Sequence, residues 1–344
     1  MAPALINAII QDIIRIPYPI FFFILFVGVI ASYRVFGSAL SLLYKFTYGK
    51  KTNFAKYGAR KGGWALVTGA SDGIGKQFAI QLSQKGMNVI LAARRKEKLD
   101  EVAAALAKDV EHKIVILDVS DPSHQGWTDI VELQKELESK EQKISVLVNN
   151  AGVSYDFPTP FEELTQEKSD QIIDVNCKAV MRITRIIMPA MLARKNGLVL
   201  NLGSCVGQIP VAYLAVYSGS KGFLKYWSMA VGQEAKEKGV QFENLNTWFV
   251  STAMSKIRKA TWDVPTADDY VRHVLSYCGQ GHLSWTPYPS HALFAWIVDN
   301  VASRRQAMEW FWNSQKAIRE FALAKKKKKM EEARKAAEEA AAKA

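Results

Sequence analysis

Between Trp64 and Gly86 the sequence WALVTGASDGIGKQFAIQLSQKG changes its period within one short stretch. An apolar run of strand length stops at a cluster of glycines, and a segment with apolar residues at helical spacing follows. A strand that feeds a helix through a glycine-rich turn is half of a βα unit, and such units assemble as a parallel sheet with helices on both faces. The turn also gathers backbone N–H groups at a helix N-terminus, where they can hold a pyrophosphate. Gly69, Ser71, Asp72, Gly73, Ile74 and Gly75 are therefore the first candidates for contact with a phosphorylated ligand.

The same alternation continues downstream. NVILAA ends at Ala93 and is followed by Arg94 and Arg95, HKIVILDVS carries Asp118, and a helix with one apolar face is expected over Gln125–Lys140. ISVLVNNAG delivers Asn149, Asn150, Ala151 and Gly152, LVLNLGS ends at Ser204, and QFENLNTWFVSTAMSK and HLSWTPYP read as a sixth and a last strand. A helix over Pro265–Cys278 is expected to start at Thr266 as its cap. In open parallel sheets ligands bind beyond the carboxyl ends of the strands, where these polar residues fall. An acidic residue after the second strand would hold a ribose 2′-hydroxyl and repel a 2′-phosphate. Arg94 stands there instead, which favours NADPH over NADH, the alternative being a solvated helix start. Asp118 also reads as an N-cap.

The chemistry concentrates in Ser204–Lys221, SCVGQIPVAYLAVYSGSK. A helix beginning near Ala215 puts Tyr217 and Lys221 one turn apart on the same face. An ammonium beside a phenol favours the phenolate and lowers a pKa that starts near ~10, which predicts proton exchange near neutral pH. Ser204 can donate to a carbonyl oxygen that gains negative charge as hydride arrives. The set suits carbonyl reduction, although a Tyr four residues before a Lys also arises in helices by chance. Asn176, in IIDVNCKAV on an expected long helix, calls for a hydrogen-bonded role if buried.

TGASDGIG, NNAG, Asn176 and Ser-x12-Tyr-x3-Lys occur in this order within Lys61–Gly281. In them the chain resembles the short-chain dehydrogenase/reductase family, and in particular its membrane-bound, acyl-CoA-reducing branch. The resemblance implies a Rossmann-type fold, α/β with a doubly wound parallel sheet, and NADPH as cofactor. It implies Asp118 near the adenine ring, Asn149 in a structural role beside the cofactor, and Asn176 bending its helix and holding a water that leads from Lys221. Val250 and Ser251 are expected against the cofactor. The reaction implied is hydride transfer to C3 of a 3-oxoacyl-CoA, with Tyr217 giving the proton, Ser204 polarising the oxygen and Lys221 holding the nicotinamide ribose. A steroid or retinoid ketone as substrate and a non-catalytic membrane scaffold are the rival readings. The chain departs from the family after the sixth strand, where Trp248 and Phe249 replace the usual Pro-Gly. Met254–Ala260, with Lys256, Arg258 and Lys259, reads either as a basic lid over a CoA-borne acyl chain or as a solvated helix face.

Residues 16–33 carry no charge and are long enough to span a bilayer. A cleaved signal peptide fits less well, since fifteen residues precede the run and no small-residue cleavage site follows it. Seven basic and no acidic residues follow from Arg34 to Lys61, which puts the remainder in the cytosol, and the resemblance implies the endoplasmic reticulum membrane. The net charge of +12 lies mainly there and in Lys325–Lys329, with no nucleic-acid-binding motif. The expected partners are a long acyl-CoA, membrane lipid and, by resemblance, other elongation enzymes, with no nucleic acid. Cys177, Cys205 and Cys278 lack metal-binding spacing and read as buried thiols.

The expected organisation is an N-terminal segment 1–15, a transmembrane anchor 16–33, a basic juxtamembrane linker 34–60, an NADP-binding reductase domain 61–281, an apolar or amphipathic extension 282–324 and a charged low-complexity tail 325–344. Ser303–Ala324 reads as an amphipathic helix that lies in the membrane interface or packs on the domain. The tail reads as a solvated helix.

Overall fold

The computed structural model describes residues 17–343 and divides into two compact units that meet between Gly49 and Lys50. In the first unit α1 (Tyr18–Thr47) is a single helix with no buried residue, long and apolar enough to cross a membrane. It runs past Tyr33, where the anchor was expected to end, because RVFGSALSLLYKFT keeps good helix formers and contains no proline. The expected segment 1–15 lies outside the described residues.

In the second unit seven parallel strands form one sheet: β1 (Gly63–Thr68), β2 (Asn88–Ala93), β3 (His112–Ile116), β4 (Lys143–Asn149), β5 (Gly197–Leu202), β6 (Val240–Leu245) and β7 (Ser284–Trp285), in the order β3-β2-β1-β4-β5-β6-β7. Every residue of β1, β2 and β5 is buried, which is why these strands read as unbroken apolar runs rather than as alternations. The helices are α2 (Gly73–Gln84), α3 (Lys96–Ala103), α4 (Gly126–Ser139), α5 (Gln166–Ile173), α6 (Ala179–Ala193), α7 (Ala215–Lys236), α8 (Ala267–Tyr277), α9 (Pro289–Asn300) and α10 (Arg304–Lys343). Strand order reverses between β1 and β4, so the connections diverge there and open a crevice at the carboxyl ends.

Two segments differ from their expected bounds, and one expected helix carries an irregular turn. Residues 50–60 belong to the folded unit: Phe54 and Tyr57 are buried, Thr52 Oγ1 donates to the Cys278 carbonyl (2.6 Å) and the Tyr57 hydroxyl to Gln241 Oε1 (3.1 Å). The long helix expected around Asn176 is present over residues 166–193, with a π-helical turn, Asp174–Lys178, joining α5 to α6. The C-terminal helix does not pause at Ala324, since the Lys, Glu and Ala that follow are strong helix formers. Its first turns pack on the domain through Ala307, Phe311 and Gln315, all buried.

β7 is only two residues long and is pinned by a buried carboxylate. Glu243 of β6 is fully buried and accepts from the amides of Gly279 (2.8 Å) and Gln280 (3.2 Å) and from Trp285 Nε1 (2.9 Å). Hydrogen bonds to a charged acceptor are worth more than neutral ones. Glu243→Gln is expected to lower the unfolding free energy in urea by about 1.5–3 kcal/mol. A change below about 0.5 kcal/mol would show that the carboxylate does not hold this edge.

Candidate active site

The turn after β1 is fixed by hydrogen bonds to the end of β4. Thr68 Oγ1 donates to the Val148 carbonyl (3.2 Å) and accepts from the amides of Asn150 (3.0 Å) and Ala151 (3.1 Å). Asn150 Nδ2 donates to the carbonyls of Thr68 (3.0 Å) and Gly69 (3.2 Å). Gly69 takes φ +63° and Gly73 φ +56°, a region that favours glycine. Gly75 is required for space, because a Cβ there would collide with the Gly69 carbonyl and Asn150 Nδ2. Asp72 caps α2, accepting from the Gly73 amide at 2.7 Å. The result is a concave turn at the positive end of a helix, which fits a pyrophosphate.

Arg94 lies just beyond β2 with its guanidinium 3.8 Å from the Asp118 carboxylate. Asp118 also accepts from the Ser120 amide (2.9 Å) and hydroxyl (2.6 Å), so it organises its own turn as well as facing the crevice.

α7 begins at Ala215, with the Tyr155 hydroxyl accepting from the Val216 amide (3.1 Å) in its first turn. Lys221 is 6% exposed, donates to the Leu202 carbonyl at the end of β5 (2.6 Å) and lies 5.8 Å from the centroid of the Tyr217 ring. Ser204 and Tyr217 line the same cavity, with the Ser204 hydroxyl close enough to the phenol to favour its ionised form. The acidic phenol expected from the Tyr–Lys spacing is not what this environment gives. Burial pushes the Tyr217 phenol up to about 12, with Cys205 adding to the rise and Ser204 opposing it. Burial also pulls Lys221 down to about 8. Desolvation penalises phenolate and ammonium alike and is the largest influence on both. At neutral pH the phenol therefore keeps its proton, ready to be given away.

Asn176 is buried in the π turn. Its Oδ1 accepts from the Val153 amide (2.9 Å), and its Nδ2 donates to the Val153 carbonyl (2.9 Å) and to Ser220 Oγ (3.1 Å). Ser220 in turn donates to the Tyr217 carbonyl (2.8 Å). Asn176 thus ties the Tyr217–Lys221 turn to the segment leaving β4. A Cβ on Gly152 would sit 3.4 Å from Asn176 Oδ1 and 3.7 Å from Lys221 Nζ, so glycine keeps the space between them open.

A cavity of about 1240 Å³ joins these parts. Gly69, Ser71, Asp72, Gly73, Ile74, Arg94, Asp118, Ser204, Tyr217, Lys221 and Val250 line it, whereas Gly75, Asn149, Asn176 and Ser251 stand behind the lining. Asn149 is 2% exposed and turns into the core, donating to Asn201 Oδ1 (2.7 Å) and Thr184 Oγ1 (3.1 Å). Its neighbour Asn150 faces the cavity. Ser251 bridges to Thr266 and donates to the Ile257 carbonyl (2.8 Å). Cys177 and Cys205 are free and buried near this floor.

The sequence reading did not anticipate Tyr155, Trp248 and the inner face of α10 as parts of the wall. Trp248 packs against Phe294 of α9 and Phe311 of α10, with ring centroids 5.9 and 6.0 Å away. The missing Pro-Gly was its one signal in the sequence.

The family model described as short chain dehydrogenase matches residues 63–262. Among curated proteins, the chain is 40% identical to a very-long-chain 3-oxoacyl-CoA reductase of Mycosarcoma maydis, over 79% of this chain and 80% of that one. It is 38% identical to a protein of the same description from Neurospora crassa, over 77% and 80% of the two chains. Among solved structures, a short-chain dehydrogenase from Sphingobium yanoikuyae in complex with NADPH superposes with a TM-score of 0.59 at 25% identity, covering 72% of this chain and 94% of that one. Gly75→Ala, which forces the turn apart, is expected to destabilise the fold by about 1–3 kcal/mol, read from its denaturation midpoint. An unshifted midpoint would mean that the close approach at Gly75 is not needed.

Proposed function

The chain belongs to the short-chain dehydrogenase family, and on that premise we propose that it is an NADPH-dependent reductase of very-long-chain 3-oxoacyl-CoA in fatty acid elongation. The observation that carries this reading is the placement of Ser204, Tyr217 and, one turn further along α7, Lys221 on the same cavity as the glycine turn. The identity with the two fungal reductases over most of both chains supports the substrate.

NADPH, when bound, supplies the hydride that goes to C3 of the 3-oxoacyl group. The turn at Gly69–Gly75 and the N-terminus of α2 hold the pyrophosphate, and Arg94 offsets the charge of the 2′-phosphate. Asp118 lies beside the adenosine end, and Val250 closes the opposite wall. Ser204 donates a hydrogen bond to the ketone oxygen and stabilises its growing charge. Tyr217 gives that oxygen its proton, which completes the 3-hydroxyacyl-CoA. Lys221 holds the ribose hydroxyls and stabilises the phenolate left behind, while Asn176 positions the turn that carries both residues. In this reading α1 is a single membrane anchor, and the basic residues after it keep the reductase on the cytosolic side of the endoplasmic reticulum membrane, in contact with lipid and beside other elongation enzymes.

The test is turnover of 3-oxoacyl-CoA with NADPH by the full-length protein in neutral detergent. Tyr217→Phe removes only the proton donor and is expected to lower kcat by about 10²- to 10⁴-fold while NADPH affinity stays within about twofold. Near-normal turnover by this variant would withdraw the assignment. The pH profile follows from Lys221, which is protonated below about 8 and neutral above it. Reduction needs the ammonium to stabilise the new phenolate, so kcat/KM should be level below this point and fall about tenfold per pH unit beyond it. A rate that rises through the same interval contradicts the role.

A further inference from the structure

The inner face of α10 begins beside the reacting groups and ends in cations. Phe311 is 2% exposed and shares an apolar cluster with Tyr217 and Trp248. Further along the helix Ile318 and Phe321 line the same cavity yet remain 45% and 73% exposed, and Lys325, Lys326 and Lys329 follow on that lining. At about 100° per residue these positions form one stripe, apolar first and then cationic. Lys327 lies on the opposite side of the helix, and Lys328, at the edge of the stripe, is outside the cavity lining and paired with Glu332 at 4.0 Å. Among the described residues no ion pair involves Lys325, Lys326 or Lys329. Arg319 clamps the helix in place, donating to the Pro158 carbonyl (3.0 Å) and to Glu163 (2.6 Å) on the segment that follows β4.

A stripe of this kind suits an occupant that is uncharged near Phe321 and polyanionic near Lys329. We propose that it holds the thioester arm of the acyl-CoA, with the methylene and amide groups of the arm along Ile318 and Phe321 and its phosphates against Lys325, Lys326 and Lys329. This rests on the reductase reading above. The lengths agree. From the ketone carbon to the first phosphorus there are about sixteen bonds, or about 18–19 Å at the pitch of an extended chain. The helix rises about 21 Å between Phe311 and Lys325. The stripe therefore brings the charged end of the arm to the lysines when the ketone is at Tyr217.

The charge reversals K325E/K329E and K327E/K328E change net charge equally, the first pair on the cavity lining and the second outside it. In full-length protein in neutral detergent, saturated with NADP⁺, K325E/K329E is expected to weaken coenzyme A binding at least tenfold by calorimetry. It should raise KM for 3-oxoacyl-CoA by more than it lowers kcat, and by at least fivefold more than for the N-acetylcysteamine thioester, which ends before the phosphates. K327E/K328E should stay within twofold of the starting protein in both measurements. Equal effects of the two pairs would overturn the assignment. So would a comparable loss of NADPH affinity in K325E/K329E, or a loss confined to vesicles of anionic lipid, which would assign the lysines to the dinucleotide or to the membrane. Starting protein that binds coenzyme A but reduces no 3-oxoacyl-CoA would defeat the reductase reading, whereas turnover with indistinguishable pairs would defeat only the stripe.

Discussion

The ammonium of Lys221 is buried beneath the end of β5 with the Leu202 carbonyl as its acceptor. A charge taken out of water costs several kcal/mol unless its surroundings compensate, and here the cost shows as a pKa drawn down to about 8. Keeping it there demands that α7 run close along the strand end. Gly207 makes this possible, since a Cβ at that position would lie 2.6 Å from the Lys221 carbonyl. Asn176 and Ser220 brace the same turn, and Ser204 meets Tyr217 as a consequence of that placement. The perturbed pair is a concentration of free energy that the rest of the fold sustains, as is common where chemistry is done.

The end of β6 and the last two helices behave as a second mechanical unit. Trp248 stacks on Phe294 and His291 and meets Phe311 at a tilt. His291 is fully buried, drawn down to about 4 by burial, and its Nε2 lies 3.0 Å from the Asp263 carbonyl. Aromatic pairs of this kind contribute roughly 0.5–1.5 kcal/mol each beyond their area. The joint therefore links the segment above the cavity, α9 and α10, so that the far wall of the cavity is set by residues remote in sequence from the motifs at its floor.

Much of the fold was legible because parallel strands are buried on both faces and leave unbroken apolar runs, as in NVILAA and GLVLNL. The turn at Gly69–Gly75 and the helical pair Tyr217–Lys221 were legible because their spacing is a local property. Four features were not. Asn149 and Asn150 are adjacent and of one type, and successive residues at a strand end face opposite sides, so only the register of β4 decides that Asn150 fronts the cavity. The π turn at Asn176 requires a packing context that composition does not reveal. The pKa values of Tyr217 and Lys221 are set by burial, which spacing alone cannot measure. The wall formed by α10 escaped for a related reason: its lysine-rich half reads as a solvated helix until Arg319 and Phe311 fix which side faces inward.

Cys177 and Cys205 lie close to the reacting groups without joining them. Burial pushes their thiols up to about 11 and about 12, so the fraction present as thiolate near neutral pH is minute. Sulfur that stays protonated neither adds to an electrophilic ketone nor reacts readily with peroxides. Both sulfurs beside the cavity floor are thereby kept in the less nucleophilic of their two forms.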